Sequence, residues 1–182
     1  KNYIEKFLAE NTDLIKGICL EVENNAYCLK FGKTVKCDIL DINKDNPKAT
    51  IIADMRNMPQ VPDNDYDCLI LTQVFQFIDN YDSAIKECYR ILKPGGTLLA
   101  TLPFISRVDA RAGVNGDFWR FTEASAKYMF GKYFNSVEAK SWGNVLSGTA
   151  FWVGMAQEEL SQKELEYNDG GFPMIISVKA IK

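Results

Sequence analysis

Histidine is absent from this chain of 182 residues. Without an imidazole, the chain lacks the base of a Ser-His-Asp or Cys-His nucleophile and the commonest neutral metal ligand. Apolar runs are also short, and none approaches the roughly 18 residues that a membrane span needs. Basic charge is not in excess, because 21 lysines and arginines stand against 24 acidic residues. The resulting net charge of −3 disfavours a protein that binds a nucleic-acid backbone.

Cysteine is present, but without a CxxC pair and in an odd number. The five residues are Cys19, Cys28, Cys37, Cys68 and Cys88. This scatter favours small buried side chains in a reducing compartment, with zinc binding or a disulfide as the lesser alternatives, so no metal site is expected. No signal-peptide pattern opens the chain, and a cytoplasmic location is expected. The sequence begins with Lys1 rather than methionine, which is compatible with a piece of a longer protein.

Short apolar runs alternate with helical patterns along the whole chain. Strands are predicted at 17–22, 35–42, 49–53, 67–72, 97–102, 134–142 and 174–181, and helices at 2–9, 79–92, 122–130 and 145–160. Asp82 and Thr122 are the expected N-caps of the second and third of these helices, and Lys93–Gly96 should stop the second. Runs that are apolar throughout are typical of a parallel sheet covered on both faces. We therefore expect one α/β domain over 1–182.

The stretch Cys88–Pro103, CYRILKPGGTLLATLP, resembles the class I S-adenosylmethionine-dependent methyltransferases of type 11, in which a helix ending R-x-L-K-P-G-G enters an apolar strand. The segment 116–122, GDFWRFT, is similar to the G-D-Y-W-R-F-T of a subgroup that is often met beside glycan-modifying enzymes. The resemblance covers essentially the whole chain. It implies a Rossmann-like three-layer sandwich with a seven-stranded, mostly parallel sheet of order 3-2-1-4-5-7-6.

The loop after the first strand departs from the family pattern. The family has E-x-G-x-G-x-G, whereas Glu21–Tyr27 reads EVENNAY, without glycine. Since asparagine tolerates a left-handed backbone better than most residues, Asn24 and Asn25 are expected to keep the turn. Few residues separate this loop from the second strand, so the intervening helix should be short, at about 27–31, with Gly32 as its C-cap.

The resemblance also implies which residues hold S-adenosylmethionine. Asp41 would accept both ribose hydroxyls, because a carboxylate has two acceptor oxygens. Asp54 would bind the adenine amine while Met55 packs on the ring. Glu21 would orient the loop formed by Asn24, Asn25 and Tyr27, or hold the methionyl amine, and Gln73 would take a further contact. The alternatives are a surface carboxylate for Asp41 and a helix cap for Asp54. Aromatic faces for the sulfonium are expected from Tyr27, Phe75 or Trp119, although core packing is favoured for Phe75 and Phe77.

The acceptor side is assigned to the segment after the fifth strand. Asp117 is the candidate catalytic base, with Asp109 and Glu123 as rivals and a turn residue as the alternative. Arg120 could bind an anionic acceptor or pair with a carboxylate. Trp119 is either a platform for a sugar or a core plug. The loop around Arg107, Asp109 and Arg111 is either a lid or a solvated surface.

The expected function is methyl transfer from S-adenosylmethionine to a small molecule or to a sugar or glycan. The alternative is a non-catalytic domain that has lost the cofactor through its glycine-free loop and serves as an interaction module. A nicotinamide-dependent oxidoreductase is disfavoured, because G-x-G-x-x-G is missing. Neither nucleic acid nor a membrane span is expected. A homodimer or a partner domain is possible, since the apolar stretch at 148–154 reads either as core or as a dimer face.

Overall fold

The computed structural model describes residues 1–182, which form one seven-stranded sheet with helices on both faces. The strands are β1 (Lys16–Val22), β2 (Lys33–Asp41), β3 (Ile51–Ile52), β4 (Tyr66–Thr72), β5 (Leu92–Pro103), β6 (Ser136–Trp142) and β7 (Ile175–Ile181). The helices are α1 (Asn2–Ala9), α2 (Ala26–Phe31), α3 (Tyr81–Ile91), α4 (Glu123–Phe130), α5 (Val145–Trp152) and α6 (Gln162–Glu166). The strand order is β3-β2-β1-β4-β5-β7-β6, and only β7 runs antiparallel to its neighbours. This confirms the expected order and topology.

Successive side chains of a strand point to opposite faces of the sheet. In the central strands both sets of side chains are buried, one in each of two core clusters. Leu20 and Leu69 join a cluster of 25 buried residues that includes the inner faces of α3 and α4. Cys19 and Cys68, one position earlier on the same strands, join a cluster of nine that packs against α1 and α2. The continuous apolar runs in the sequence follow from this double coverage.

The helix starts agree with the sequence in one case and differ in the other. Thr122 caps α4 as expected, since its hydroxyl accepts a bond from the Ser125 N–H at 3.1 Å. The expected cap Asp82 of α3 is wrong. Asn80 is the N-cap, and its side chain accepts from the Ser83 N–H at 3.1 Å. Asp82 instead binds Lys132 on the surface at 2.9 Å, so its carboxylate is occupied by another element.

Two other elements are shorter than expected. β3 has only two residues, because the Thr50 hydroxyl, rather than a strand backbone, accepts the Ile39 N–H at 2.9 Å. α5 ends at Trp152 and does not continue to 160. Within the stretch 148–154, Gly148 and Ala150 are buried, whereas Trp152 and Val153 are exposed, so the stretch is core only in its first half. No helix has the length and the apolar composition that crossing a membrane requires.

The cysteines divide into two groups. Cys19, Cys68 and Cys88 are free and buried, as expected. The same expectation is wrong for Cys28 and Cys37, which form a disulfide with a Cα–Cα distance of 6.6 Å. The short connection between β1 and β2 explains the difference, since it lays α2 directly beside β2 and brings Cys28 over Cys37.

Candidate functional site

A cleft of about 910 Å³ opens where β1, β2 and β4 end at one edge of the sheet. In open α/β sheets, ligands bind beyond the carboxyl ends of the strands. The loops after these three strands form one wall of the cleft. The segment that follows β5, together with α5, forms the other wall. The lining residues include Glu21, Glu23, Asn24, Tyr27, Asp41, Ile42, Asn43, Gln73, Gln76, Phe77, Ser106, Arg107, Asp109, Arg111, Asp117 and Phe151.

Glu21 lies at the floor of the cleft and holds the start of α2. Its side chain is buried, and its two oxygens accept the N–H groups of Tyr27 at 3.1 Å and Cys28 at 2.8 Å. Burial raises the pKa of Glu21 above its usual value, although these two N–H donors oppose the rise. The Glu21 carboxylate therefore caps the first turn of α2, because it accepts N–H groups that have no partner within the helix. The expectation that Glu21 orients the loop agrees with this placement.

The left-handed turn after β1 is made by Glu23, whose φ is 70°. Glu23 occupies the position of the first glycine in the family pattern. Asn24 and Asn25 were expected to supply this conformation, and that expectation is wrong, because neither has a positive φ. The Asn24 side chain instead accepts the Ala26 N–H at 2.9 Å, which closes the loop onto α2. The loop thus keeps its turn without glycine.

The strand next to β1 ends in the same way. Gln73 follows β4 and has φ 54°, again without being glycine. Three residues later, Gln76 lines the cleft with its side chain almost fully buried. Its Nε2 donates to the Gln73 carbonyl at 2.8 Å, while its Oε1 has no partner. A buried polar atom without a partner is rare and points to a ligand that supplies a donor.

Asp41 ends β2 and lines the cleft as expected. Its Oδ1 accepts the Asn43 N–H at 2.8 Å, and its Oδ2 accepts the Asn46 Nδ2 at 2.7 Å. Each carboxylate oxygen has two lone-pair sites, so both oxygens retain one site for a further donor. Ile42 follows with an exposed apolar side chain at the same wall.

Asp117 and Arg120 fasten the segment after β5 over the cleft. The Asp117 oxygens accept from Arg120 at 2.6 and 3.0 Å, and Oδ2 also accepts the Asp109 N–H at 3.0 Å. Arg120 further donates to the carbonyls of Ser106 and Arg107. These hydrogen bonds from Arg120 lower the pKa of the Asp117 carboxyl. A carboxylate held in this way is a weak base at neutral pH, and its role as a base stays a prediction.

The rival bases are no stronger. Hydrogen bonds from backbone N–H groups of the lid lower the pKa of Asp109. Hydrogen bonding to Ser141 lowers the pKa of Glu123, which lies away from the cleft. At the other side of the cleft, Arg111 comes within 3.8 Å of Glu23 and so connects the segment after β5 with the loop after β1. This contact favours the lid interpretation of the segment around Arg107–Arg111.

Five predicted site residues do not line the cleft: Asn25, Asp54, Met55, Trp119 and Arg120. Asp54 forms a two-pronged ion pair with Arg56, with distances of 2.6 to 3.0 Å, and Met55 is core. Trp119 packs edge-on against Tyr81 and donates to the Ile78 carbonyl at 2.9 Å. The remaining predicted residues, Glu21, Asn24, Tyr27, Asp41, Gln73 and Asp117, do line it.

Several residues that line the cleft were not predicted from the sequence. Phe77 was expected in the core but lines the cleft, whereas Phe75 is fully buried as favoured. The place of Glu23 in the cleft could have been predicted, because it stands at the first glycine position of the family loop. No sequence pattern marks Gln76 or Phe151. A short 3-10 turn brings Gln76 to the cleft, and the packing of α5 brings Phe151 there.

One group of side chains has the composition of a metal site. The ligand atoms of Glu21, Cys28 and Cys37 lie within 4.8 Å of one another. The two sulfurs are bonded to each other, however, and the carboxylate oxygens already accept two backbone N–H groups. Neither sulfur is therefore a thiolate ligand in this structure.

Comparison with known proteins agrees with the architecture. Residues 18–100 match the model of a family described as a methyltransferase domain. A S-adenosylmethionine-dependent methyltransferase from Archaeoglobus fulgidus has a TM-score of 0.66 at 13% identity, covering 100% of this chain and 94% of that one. The chain has the class I methyltransferase fold. A phosphoethanolamine N-methyltransferase of Haemonchus contortus, in complex with S-adenosyl-L-methionine, has a TM-score of 0.64 at 14% identity, with 97% of this chain and 52% of that chain covered.

Among curated proteins, the ubiquinone/menaquinone biosynthesis C-methyltransferase UbiE of Pseudomonas paraeruginosa is 35% identical over 75 residues. The match covers 41% of this chain and 28% of that protein, so the chain spans well under half of the relative's length. The family model matches under half of this chain, and the solved structures show that its fold is that of class I methyltransferases. They do not identify the acceptor.

Proposed function

We propose that this chain binds S-adenosylmethionine in the cleft and transfers its methyl group to a small-molecule or glycan acceptor. The observation that carries the proposal is the acidic wall at the ends of β1 and β2. There Glu21, Glu23 and Asp41 line one cleft, and the turn conformation of a glycine loop is kept at Glu23. The fold alone would also suit an inactive protein, and the loop that keeps its turn supports the active one.

Asp41 and Ile42 suit the nucleoside end of the cofactor. The two free acceptor sites of the Asp41 carboxylate match a ribose diol, because both hydroxyls donate toward one side. Ile42 offers an apolar surface directly beside it, on which an adenine ring packs. Asn43 lines the same wall and adds side-chain amide groups for the ring edge.

The methyl donor, when bound, supplies a methyl group on a sulfonium cation. Glu21 and Glu23 give the adjoining wall a negative potential that suits a cation. Tyr27, Phe77 and Phe151 add aromatic side chains to the lining, and aromatic faces attract cations as well. Gln76 offers its unpartnered Oε1 to a donor group of the ligand.

The acceptor enters between the lid and α5. A cleft of about 910 Å³ is at the upper end of the roughly 300–1,000 Å³ range of ligand sites, and it offers room for a cofactor and a small acceptor together. The similarity of 116–122 to the glycan-associated subgroup supports a sugar. Because Trp119 and Arg120 are engaged elsewhere, Ser106, Arg107 and Phe151 are the side chains available to contact it.

Asp117 supports the lid in the proposed reaction and is not its base. Its ion pair with Arg120 fixes the turn before α4, which was the alternative expected from the sequence. An acceptor whose own proton is acidic, or is lost to water, would need no stronger base. The lid residues then contribute by holding the acceptor in line and by excluding water.

The non-catalytic alternative is not favoured, because the loop keeps its turn and the cleft stays open. The experiment is incubation with methyl-labelled S-adenosylmethionine and a panel of monosaccharides, oligosaccharides and small phenols, with S-adenosylhomocysteine measured by mass spectrometry. We expect product with at least one acceptor, and much less with Asp41→Ala. Absence of both cofactor binding and product would favour the interaction module.

A further inference from the structure

Four of the five cysteines lie together behind the wall of the cleft. Cys19 on β1 is in register with Cys37 on β2 and with Cys68 on β4, so the three side chains share one face of the sheet. Cys28 on α2 lies over this row and is bonded to Cys37. Three adjacent strands and the helix that covers them thus contribute sulfur to one location.

The disulfide is connected to the cleft through two contacts. The N–H of Cys28 donates to Glu21 at 2.8 Å, and Glu21 lines the cleft floor. Tyr27, the residue before Cys28, donates to the same carboxylate at 3.1 Å and places its side chain in the lining. Because α2 has only six residues, it depends on tertiary contacts, and the covalent bond to β2 is one of them.

Of these four cysteines, Cys37 is the least buried. β3 pairs with β2 only at Leu40 and Asp41, so the outer edge of β2 is uncovered at Cys37. Cys37 is half-buried, whereas Cys19, Cys28 and Cys68 are fully buried. Hydrogen bonding to Cys19 and burial raise the pKa of the Cys68 thiol, which keeps it protonated and unreactive. Exchange chemistry is thereby confined to the Cys28–Cys37 pair.

We propose that Cys28 and Cys37 form a thiol–disulfide exchange site that sets the affinity of the cleft for its cofactor. The inference rests on the proposed function, since it names the state of the chain that binds S-adenosylmethionine well. The reductant is a dithiol. One of its thiolates attacks the Cys37 sulfur, the Cys28 sulfur leaves as a thiolate and takes up a proton, and the second thiol of the reductant releases Cys37. Two electrons pass to the protein, which gains two thiols, and the reductant becomes a disulfide.

Opening the bond loosens the wall of the cleft. A covalent bond is replaced by a longer van der Waals contact, so Cys28 moves away from β2 and carries α2 with it. The two N–H groups that hold Glu21 move as well, and Tyr27 leaves its place in the lining. The disulfide adds a covalent constraint to the hydrogen bonds that Glu21 and Asn24 accept from the start of α2, in a loop whose turn depends on a strained Glu23. We therefore expect the bonded form to be the tight-binding form.

The test is calorimetric titration of the intact chain with S-adenosylhomocysteine after equilibration with oxidised glutathione or with reduced dithiothreitol. Thiol tagging and mass spectrometry report the state of each cysteine in the same samples. We expect the dissociation constant of the wild type to rise about tenfold on reduction. Cys37→Ser should bind like the reduced wild type in both buffers. Cys88→Ala, which removes a buried thiol from the opposite core cluster, should respond like the wild type.

The outcomes separate the two proposals. Equal affinity of the wild type in both buffers, or five free thiols after oxidation, would overturn the exchange site and leave the proposed function standing. Absence of binding in both buffers would overturn the proposed function, and the exchange site with it. Circular dichroism shows whether Cys37→Ser folds, and the comparison of the two wild-type samples needs no variant.

Discussion

Glu23 and Gln73 each stand one residue beyond the end of neighbouring strands, and both have a left-handed backbone, with φ of 70° and 54°. Each still donates its N–H to the next strand, Glu23 to Leu40 at 3.0 Å and Gln73 to Thr101 at 2.8 Å. The chain then turns away from the sheet and leaves the cleft between the two loops. Left-handed residues other than glycine are strained, and such strain collects at functional sites.

Replacing Glu23 by glycine should stabilise the chain. A left-handed conformation costs an L-residue roughly 1–2 kcal/mol, part of which is offset by the greater backbone freedom of glycine in the unfolded chain. We expect Glu23→Gly to raise the free energy of unfolding by about 1 kcal/mol in urea denaturation. Glu23→Ala is the matched control, because it removes the same side chain and keeps the strain. Equal stability of the two variants would contradict the assignment.

Asp41 and Asp54 should differ in their effect on cofactor binding. Asp41 lines the cleft with acceptor sites to spare, whereas Asp54 is paired with Arg56 outside it. Loss of a charge-assisted hydrogen bond costs about 1.5–3 kcal/mol, so Asp41→Asn should weaken S-adenosylhomocysteine binding about 10- to 100-fold. Asp54→Asn should leave it unchanged in the same titration. A comparable loss in Asp54→Asn would restore the adenine-binding role that the resemblance implies.

Gln76 should matter more for binding than for stability. Gln76→Met keeps the shape, removes an unpartnered buried oxygen and loses one bond to Gln73. Because these two effects oppose each other, we expect the free energy of unfolding to change by less than about 1 kcal/mol. Affinity for S-adenosylhomocysteine should fall at least about tenfold.

Gln60→Met is the matched control, since Gln60 also donates to a backbone carbonyl but lies exposed, away from the cleft. Unchanged affinity in Gln76→Met would remove Gln76 from the binding site. A similar loss in both variants would show that the effect does not arise in the cleft.

The ion pair of Asp117 and Arg120 should make stability depend on pH in the acid range. Arg120 lowers the pKa of Asp117 below its usual 3.8. A carboxyl with a lowered pKa stabilises the fold above the unfolded pKa, and this contribution is lost as the pH falls through the folded pKa. The difference in unfolding free energy between the wild type and Asp117→Asn should therefore shrink as the pH falls below 3.8.

Guanidinium denaturation at a series of pH values measures this difference. In an Arg120→Gln background, the pH dependence of the Asp117→Asn effect should largely disappear, because the cause of the lowered pKa is gone. A difference that stays constant from neutral pH to the acid limit would contradict the assignment.

Most of the architecture could be predicted because it rests on local patterns. Apolar runs such as 67–72 lie in a doubly covered sheet, and Thr122 caps a helix whose spacing is regular. The strand order came from the resemblance rather than from the runs. The errors have tertiary causes. Thr50 shortens β3 through a hydroxyl bond to a distant backbone group, and Asp82 is drawn to Lys132.

The site was predictable where it depends on strand ends and unpredictable where distant segments meet. Glu21 and Asp41 follow from their places at the ends of β1 and β2. Asp54 was assigned to the cleft although Arg56, two residues later, takes its carboxylate. The Cys28–Cys37 bond required knowledge of how α2 lies against β2, since cysteine spacing alone does not fix a pairing.

Calorimetric titration of the wild-type chain with S-adenosylmethionine and S-adenosylhomocysteine, paired with a melting curve, measures whether the cleft holds the cofactor. We expect one equivalent of each to bind with a micromolar dissociation constant. At 100 times that constant, the ligand should stabilise the fold by about 2.7 kcal/mol and raise the melting temperature by about 5–10 °C. No heat and no shift at millimolar ligand would mean that the fold is kept without its cofactor and that the cleft does not bind S-adenosylmethionine.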